Sequence, residues 1–218
     1  MKIIKSALFA ALALAALTTA SMAASLNGAY LEVGSSAIGV ELDGKVTETR
    51  RTGDTTTGQV GKTAVTVQYG LGYMTPRSNK IGLDLGYMWL PGEAKIKSSS
   101  TDSTASGVTF EVSDSTEYYI SPMINITEDA SIYVKYAWNE ADVKVTGDVT
   151  KISSMDGNTV ALGTVMSWGS NLYIRTEAGM TDYNALKVTG LGTSVATTTT
   201  VTATPTIHYG KIAIGYKF

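Results

Sequence analysis

Between Lys62 and Pro91 every second residue is apolar or aromatic, first Val65, Val67, Tyr69, Leu71 and Tyr73, then Ile81, Leu83, Leu85, Tyr87 and Trp89. The places between them hold Thr66, Gln68, Gly70 and Gly72, then Gly82, Asp84, Gly86 and Met88. A period of two with one fully apolar face is a strand signal, and Thr75-Pro76-Arg77-Ser78-Asn79 between the runs reads as a short turn. In a soluble sandwich the polar face would point outward. In a small membrane barrel the apolar face meets lipid and the polar or glycine face lines the interior. No stretch of the chain is apolar enough to span a bilayer as a helix. Lipid leaves only helices and closed barrels with satisfied backbones, so an integral protein of this sequence is a closed barrel.

Six further segments bring the expected total to eight, the smallest usual even count for such barrels. The first covers about Gly28 to Leu42, with a bulge expected near Ser35-Ser36, where the alternation slips by one residue. The fourth carries Tyr118, Ile120 and Pro122 on one face, and the fifth Ile132, Val134, Tyr136 and Trp138. The sixth shows Val160, Leu162, Thr164, Met166 and Trp168, the seventh Leu172, Ile174, Thr176, Ala178 and Met180, and the eighth ends the chain. The fold class expected is all-β, an eight-stranded antiparallel up-and-down transmembrane barrel. Its connections alternate: Thr75 to Asn79, Asn125 to Asp129 and Gly169 to Asn171 are short, whereas Asp43 to Gly61, Pro91 to Gly107, Asn139 to Asn158 and Asp182 to Pro205 read as long Ser/Thr-rich loops. Threading the strands up and down puts Trp89 and Trp138 at the outer ends, and Tyr73, Trp168, Tyr216 and Phe218 at the inner ends, as two aromatic girdles.

Both ends of the chain agree with this reading. Lys2 and Lys5 precede an uncharged run from Ala7 to Leu17, and Ser21-Met22-Ala23 offers small residues for a signal peptidase. Residues 1–23 are therefore expected to be an export signal and residues 24–218 a single barrel domain. The absence of cysteine excludes disulfides, thiol catalysis, thiolate metal sites and a lipoprotein lipobox. Formal charge is −2, about −4 once Lys2 and Lys5 are removed, which is no electrostatic footprint for nucleic acid.

The closing Lys211-Ile-Ala-Ile-Gly-Tyr-Lys-Phe218 alternates apolar residues up to a terminal aromatic. It resembles the sorting signal of Gram-negative outer-membrane barrels, with Ala213 where glycine is more usual. With the export signal, strand periodicity and loop alternation, the mature chain resembles the small eight-stranded family of OmpA-like, OmpX-like and opacity-type surface proteins. That resemblance implies a monomer in the bacterial outer membrane, delivered by periplasmic chaperones and the barrel-assembly machinery through Tyr216 and Phe218. Lipopolysaccharide would surround it, and scattered loop cations such as Lys45, Lys62, Lys95, Lys97 and Lys144 could reach its phosphates. No wall-binding domain is expected after the barrel, and fold alone does not fix a role for this family.

By parity the inward face at mid-height holds Glu32, Gln68, Asp84, Glu117, Lys135, Arg175, Glu177 and Lys211. Glu117 is expected to meet Lys135, and Lys211 to lie between Glu177 and Glu32. Met74, Tyr119, Met123, Tyr133 and Tyr173 point inward below them as a floor. An eight-stranded barrel is just wide enough for side chains to fill, so these charges are expected to pair in a packed polar core and not to line an ion path. The single histidine, His208, faces lipid by parity, with no serine two places on and no second base for a triad, which argues against an enzyme. No cofactor or metal is expected. The role expected is a non-enzymatic surface protein supporting membrane integrity or external contacts. The alternative is a narrow porin-like pore or an OmpW-like carrier of small hydrophobic molecules, which would need an apolar inner lining and a lateral opening.

Overall fold

The computed structural model of the chain describes residues 27–48, 55–75, 80–97, 109–146, 152–191 and 198–218. The export signal expected at residues 1–23 lies outside them. Nine strands are present: β1 (Gly28–Glu48), β2 (Thr55–Met74), β3 (Ile81–Lys97), β4 (Thr109–Asn125), β5 (Ala130–Thr146), β6 (Ser154–Trp168), β7 (Leu172–Tyr183), β8 (Leu186–Leu191) and β9 (Thr198–Lys217). Each pairs antiparallel with its neighbour, and β9 returns to β1, with Leu31 opposite Tyr216 and Glu41 opposite Thr206, which closes the sheet. The barrel has eight strands, because β8 prolongs the line of β7. Asp182 of β7 pairs with Thr206, and after Asn184-Ala185 the chain resumes with Leu186 opposite Ala203 on the same strand β9. Closure of β9 on β1 removes the two edges that an open sheet would leave unpaired.

Short turns gather at one end, here the terminal end, beside Gly28 and Phe218, whose backbone N–H donates to the Ala29 carbonyl at 2.9 Å. There Ile126 N–H donates to the Ala130 carbonyl at 2.9 Å, and Asp129 N–H to the Thr127 hydroxyl at 3.3 Å. The β6–β7 turn reverses at Gly169, whose φ of +76° is the left-handed region that a side chain disfavours.

At the opposite, distal end the structure corrects the expectation of long loops. β1 and β2 run on to Glu48 and from Thr55, β3 to Lys97, β5 to Thr146, and β9 starts at Thr198. Lys45, Lys62, Lys95, Lys97 and Lys144 therefore sit on strands. Clusters of Ser and Thr read as solvated loops by composition, yet β-branched Thr suits a strand once a partner is present. Thr199 and Thr200 find theirs in Glu48 and Thr47.

The expected bulge at Ser35-Ser36 is absent. β1 pairs in unbroken register with β2 from Gly28–Met74 to Thr47–Thr55, and with β9 along its length. The alternation only appears to slip because polarity inverts while geometry continues. Along β5 the outward residues are Ile132, Val134, Tyr136 and Trp138, then Glu140, Asp142 and Lys144; the inward ones are Tyr133, Lys135, Ala137 and Asn139, then Ala141, Val143 and Val145. β1 behaves alike, with Glu32 and Ser36 inward and then Ile38 and Val40 on the same face. The terminal half is apolar outside and polar inside; the distal half has the pattern of a soluble barrel. Real register shifts occur at Leu90/Glu93 between β3 and β4 and at Ser113/Thr116 between β4 and β5, where Asp114 takes a φ of +48°.

Candidate functional site

The interior is built in three layers. At the terminal end Tyr30, Met74, Met123, Tyr133, Val165 and Tyr173 pack together as a floor. Each large ring lies across from a glycine on the next strand: Tyr30 opposite Gly72, Tyr119 opposite Gly86, Tyr133 opposite Gly163 and Tyr173 opposite Gly215. A β-carbon at any of these glycines would run into the facing tyrosine. The glycines make room for rings that cross the lumen. Among them sits Arg175, fully buried, its guanidinium 5.3 Å from the ring centres of Tyr30 and Tyr133, 5.7 Å from that of Tyr173 and 6.0 Å from that of Tyr119. A buried cation needs such electron-rich faces and anionic partners. Asp84 Oδ2 accepts from Nη2 at 2.8 Å, and Glu32 Oε2 lies 3.0 Å from Nε. The tyrosine hydroxyls complete the shell: Tyr30 donates to Asp84 Oδ1 at 2.8 Å, Tyr173 to Glu32 Oε2 at 2.9 Å, and the Tyr30 and Tyr119 hydroxyls share a short hydrogen bond.

The second layer is ionic. Lys135 Nζ donates to Glu117 Oε1 at 2.7 Å and to Glu177 Oε1 at 2.5 Å. Lys211 Nζ lies 3.5 Å from both Glu32 Oε1 and Glu177 Oε2. Tyr133 donates to Glu177 Oε2 at 2.6 Å and Tyr209 to Glu177 Oε1 at 2.7 Å. All eight residues placed inward by parity, Glu32, Gln68, Asp84, Glu117, Lys135, Arg175, Glu177 and Lys211, are buried. Lys135 holds Glu177 as well as Glu117, a bridge that neighbouring-strand parity does not reveal because the two glutamates stand on β4 and β7.

The third layer departs from the expected filled polar interior. Above the ionic layer lies a cavity of about 380 Å³. Its floor is polar, with Ser36, Gln68, Glu117, Lys135, Glu177 and Tyr209. Its walls are apolar, with Ile38, Val40, Leu90, Val143, Met155 and Ile207, backed by the packed cluster of Ala141, Val145, Tyr183 and Leu186. Sequence reading missed this lining because it stopped the parity count at mid-height. Carried on through Ser36 to Val40 and through Asn139 to Val145, the same count finds it.

The cavity reaches the barrel wall between β2 and β3. These strands pair from Met74–Asp84 only as far as Tyr69–Trp89, although both continue, to Thr55 and to Lys97. Residues on both sides of the split, Ala64 to Val67 and Leu90 to Glu93, border the cavity. Val65 is 78% exposed and Val67 47%, so the outer lip of the split is apolar.

On the outer surface Trp89 lies 6.0 Å from Tyr69, centre to centre, and Trp138 5.0 Å from Tyr136, all four toward the distal end. Tyr73, Trp168, Tyr216 and Phe218 lie toward the terminal end, with the last two rings 5.3 Å apart. His208 faces outward between Gly39 and Met180. Among the described residues no group of His, Asp and Glu is arranged to hold a metal ion.

No curated protein matches the chain significantly in sequence. Among solved structures it is similar in fold to the outer membrane protein OprG from Pseudomonas aeruginosa, at 14% identity over 88% of this chain and 96% of that one, with a TM-score of 0.54. The outer membrane protease OmpT from Escherichia coli aligns at 10% identity over 92% of this chain and 99% of that one, with a TM-score of 0.50. Ail of Yersinia pestis aligns at 12% identity over 81% and 98%, with a TM-score of 0.38. The family model for the outer membrane protein beta-barrel domain matches residues 9–201. The chain, with its eight antiparallel strands closed on themselves, belongs to that family of outer membrane protein beta-barrel domains and resides in the bacterial outer membrane.

Proposed function

We propose that the protein is a non-enzymatic carrier that takes small hydrophobic molecules from outside the cell into its distal cavity and releases them sideways into the outer leaflet. The observation that carries this reading is the split between β2 and β3. β2 and β3 stop pairing at Tyr69–Trp89, just before Pro91, which has no N–H to give, and the register shift at Leu90/Glu93, and both run on unpaired with each other where an apolar cavity meets the wall. Unpaired strand edges expose backbone donors and acceptors that a closed barrel otherwise satisfies, so a split beside an apolar cavity, starting at the outer interface, is a structure with a use. Straight passage to the periplasm is opposed by the tyrosine floor and the ionic layer, which fill the lumen below. His208 faces outward, and the chain has no second histidine to form a dyad or triad with it.

A disulfide across the split tests the reading. Thr66 Oγ1 lies 3.3 Å from the place a β-carbon on Gly92 would occupy, and the native chain has no cysteine to compete. A γ-atom of residue 66 thus already reaches the β-carbon position of residue 92, as the sulfur of a disulfide must. In the Thr66→Cys, Gly92→Cys double variant, oxidation should slow transfer of a small apolar fluorescent probe into vesicles that carry the protein, and reduction should restore it. Equal transfer in the oxidised and reduced forms would sink the lateral route.

A further inference from the structure

The ionic layer that floors the cavity is not electrically balanced. Four carboxylates, Glu32, Asp84, Glu117 and Glu177, face three cations, Lys135, Arg175 and Lys211, all of them buried. Lys217, also buried, lies at the terminal end beneath the tyrosine floor, opposite Tyr30. The deficit is greatest at Glu117. Asp84 has Arg175 and Tyr30; Glu32 has Arg175, Lys211 and Tyr173; Glu177 has Lys135, Lys211, Tyr133 and Tyr209. Glu117 has Lys135 alone, through Oε1, and Lys135 stands closer to Glu177. Among the described residues Oε2 of Glu117 accepts no hydrogen bond, and this carboxylate lines the cavity. Elsewhere in the lining the side-chain amide nitrogen of Gln68, a donor on another buried residue, has no partner.

Resting on the carrier reading above, we infer that the cavity is a site for amphiphiles with a cationic, hydrogen-bond-donating head, a primary ammonium above all. The head sits on Glu117 and the alkyl chain lies along Ile38, Val40, Val143, Met155 and Ile207. The free oxygen of Glu117 is turned to the cavity, and an arriving ammonium supplies there both a positive charge and a donor. An alcohol supplies the donor only. A carboxylate head would bring a fifth anion against Glu117 and Glu177. Apolar walls above one under-neutralised carboxylate thus select by head group while staying tolerant of chain shape, since methylenes are recognised by area and not by direction.

The test is calorimetric titration of the folded protein in detergent micelles with octylamine, octanol and octanoate, which share one chain length. Wild type should bind octylamine at least about tenfold more tightly than octanol and bind octanoate most weakly. Glu117→Gln, isosteric and leaving Lys135 with Glu177, should bring the amine and alcohol within about twofold of each other by weakening the amine far more than the alcohol. Heat-modifiability on gels would verify that the variant is folded, and Gln68→Met, which removes a second polar lining group without changing charge, should keep the preference for the amine. Equal binding of all three ligands by wild type, or an amine preference that survives Glu117→Gln, would overturn the head-group assignment and leave the carrier standing. Failure of all three to bind would overturn both.

Discussion

Arg175 and Lys135 show how the polar middle of the lumen is filled by side chains that complete one another. Each holds two carboxylates, and neither retains its partners if one strand moves by a residue. Replacing Lys135 by Met strands Glu117 and Glu177 against each other and should cost about 3–5 kcal/mol, the range for removing one partner of a buried pair. Glu117→Gln should cost clearly less, because Lys135 keeps Glu177. Urea unfolding in lipid vesicles measures both, and equal losses would mean that Lys135 is not shared. The reversal Lys135→Glu with Glu117→Lys should recover only part of the loss, since Glu177 then faces the new carboxylate. The glycines make a second set of expectations. Gly215→Ala pushes a methyl into Tyr173 and should destabilise by about 1–3 kcal/mol through overpacking. Gly210→Ala on the same strand meets nothing within 4 Å and should be neutral or slightly stabilising, so the pair carries its own control. Parity alone placed these inward charges, because the period of a strand is two whatever surrounds it. It could not show that Tyr30 and Tyr209 complete the shell, since partners there depend on reach across the lumen.

Strands carry the next level of meaning, through the height at which their polarity inverts. On β5 the change falls between Trp138 and Glu140 outside and between Asn139 and Ala141 inside, one level for both faces. The physical cause is a change of surroundings: lipid below asks for an apolar exterior, water above for a polar one, and the interior takes whatever remains. Read without that change, the inversion on β1 mimics a bulge and the distal Thr-rich stretches mimic loops. The last strand has a further expected role. Tyr216 and Phe218 stand exposed on its outer face at the chain end, where the assembly machinery is proposed to engage it. Deleting Phe218 should reduce the heat-modifiable, folded protein in outer-membrane fractions several-fold. An unchanged yield would remove this role from the terminal aromatic.

The whole molecule behaves as a cup and not as a tube. Its floor is closed by tyrosines and ion pairs, its mouth is lined by aliphatic side chains, and its wall is split on one side. Refolded protein in planar bilayers should therefore show no large steady openings; sustained conductance of porin size would contradict the closed floor. The same architecture fixes how deep the protein sits. Trp89 and Trp138 should respond to quenchers near the outer headgroups and Trp168 to those near the inner ones, with the split between β2 and β3 starting at the level of Trp89. A mid-bilayer depth for Trp89 would put the split in the hydrocarbon centre, where open strand edges are not tolerated.

Period-two alternation and the placement of aromatics pointed to an eight-stranded closed barrel and to the inward residues at mid-height, and the two ends of the chain pointed to the outer-membrane setting. These are properties of single strands and of the solvent around them, and both are written locally. What the chain could not state locally was decided by closure. Which cation serves which carboxylate depends on side chains from opposite walls, as with Glu117 on β4 and Glu177 on β7 around Lys135. The cavity exists because inward residues on several strands turn apolar at one height, and no strand alone encloses a volume. In the split β2 and β3 pair over only six residues, while β1 holds β2 for its full length and β4 holds β3 on both sides of the register shift at Leu90/Glu93. Such competition between partners is settled only when the sheet has closed.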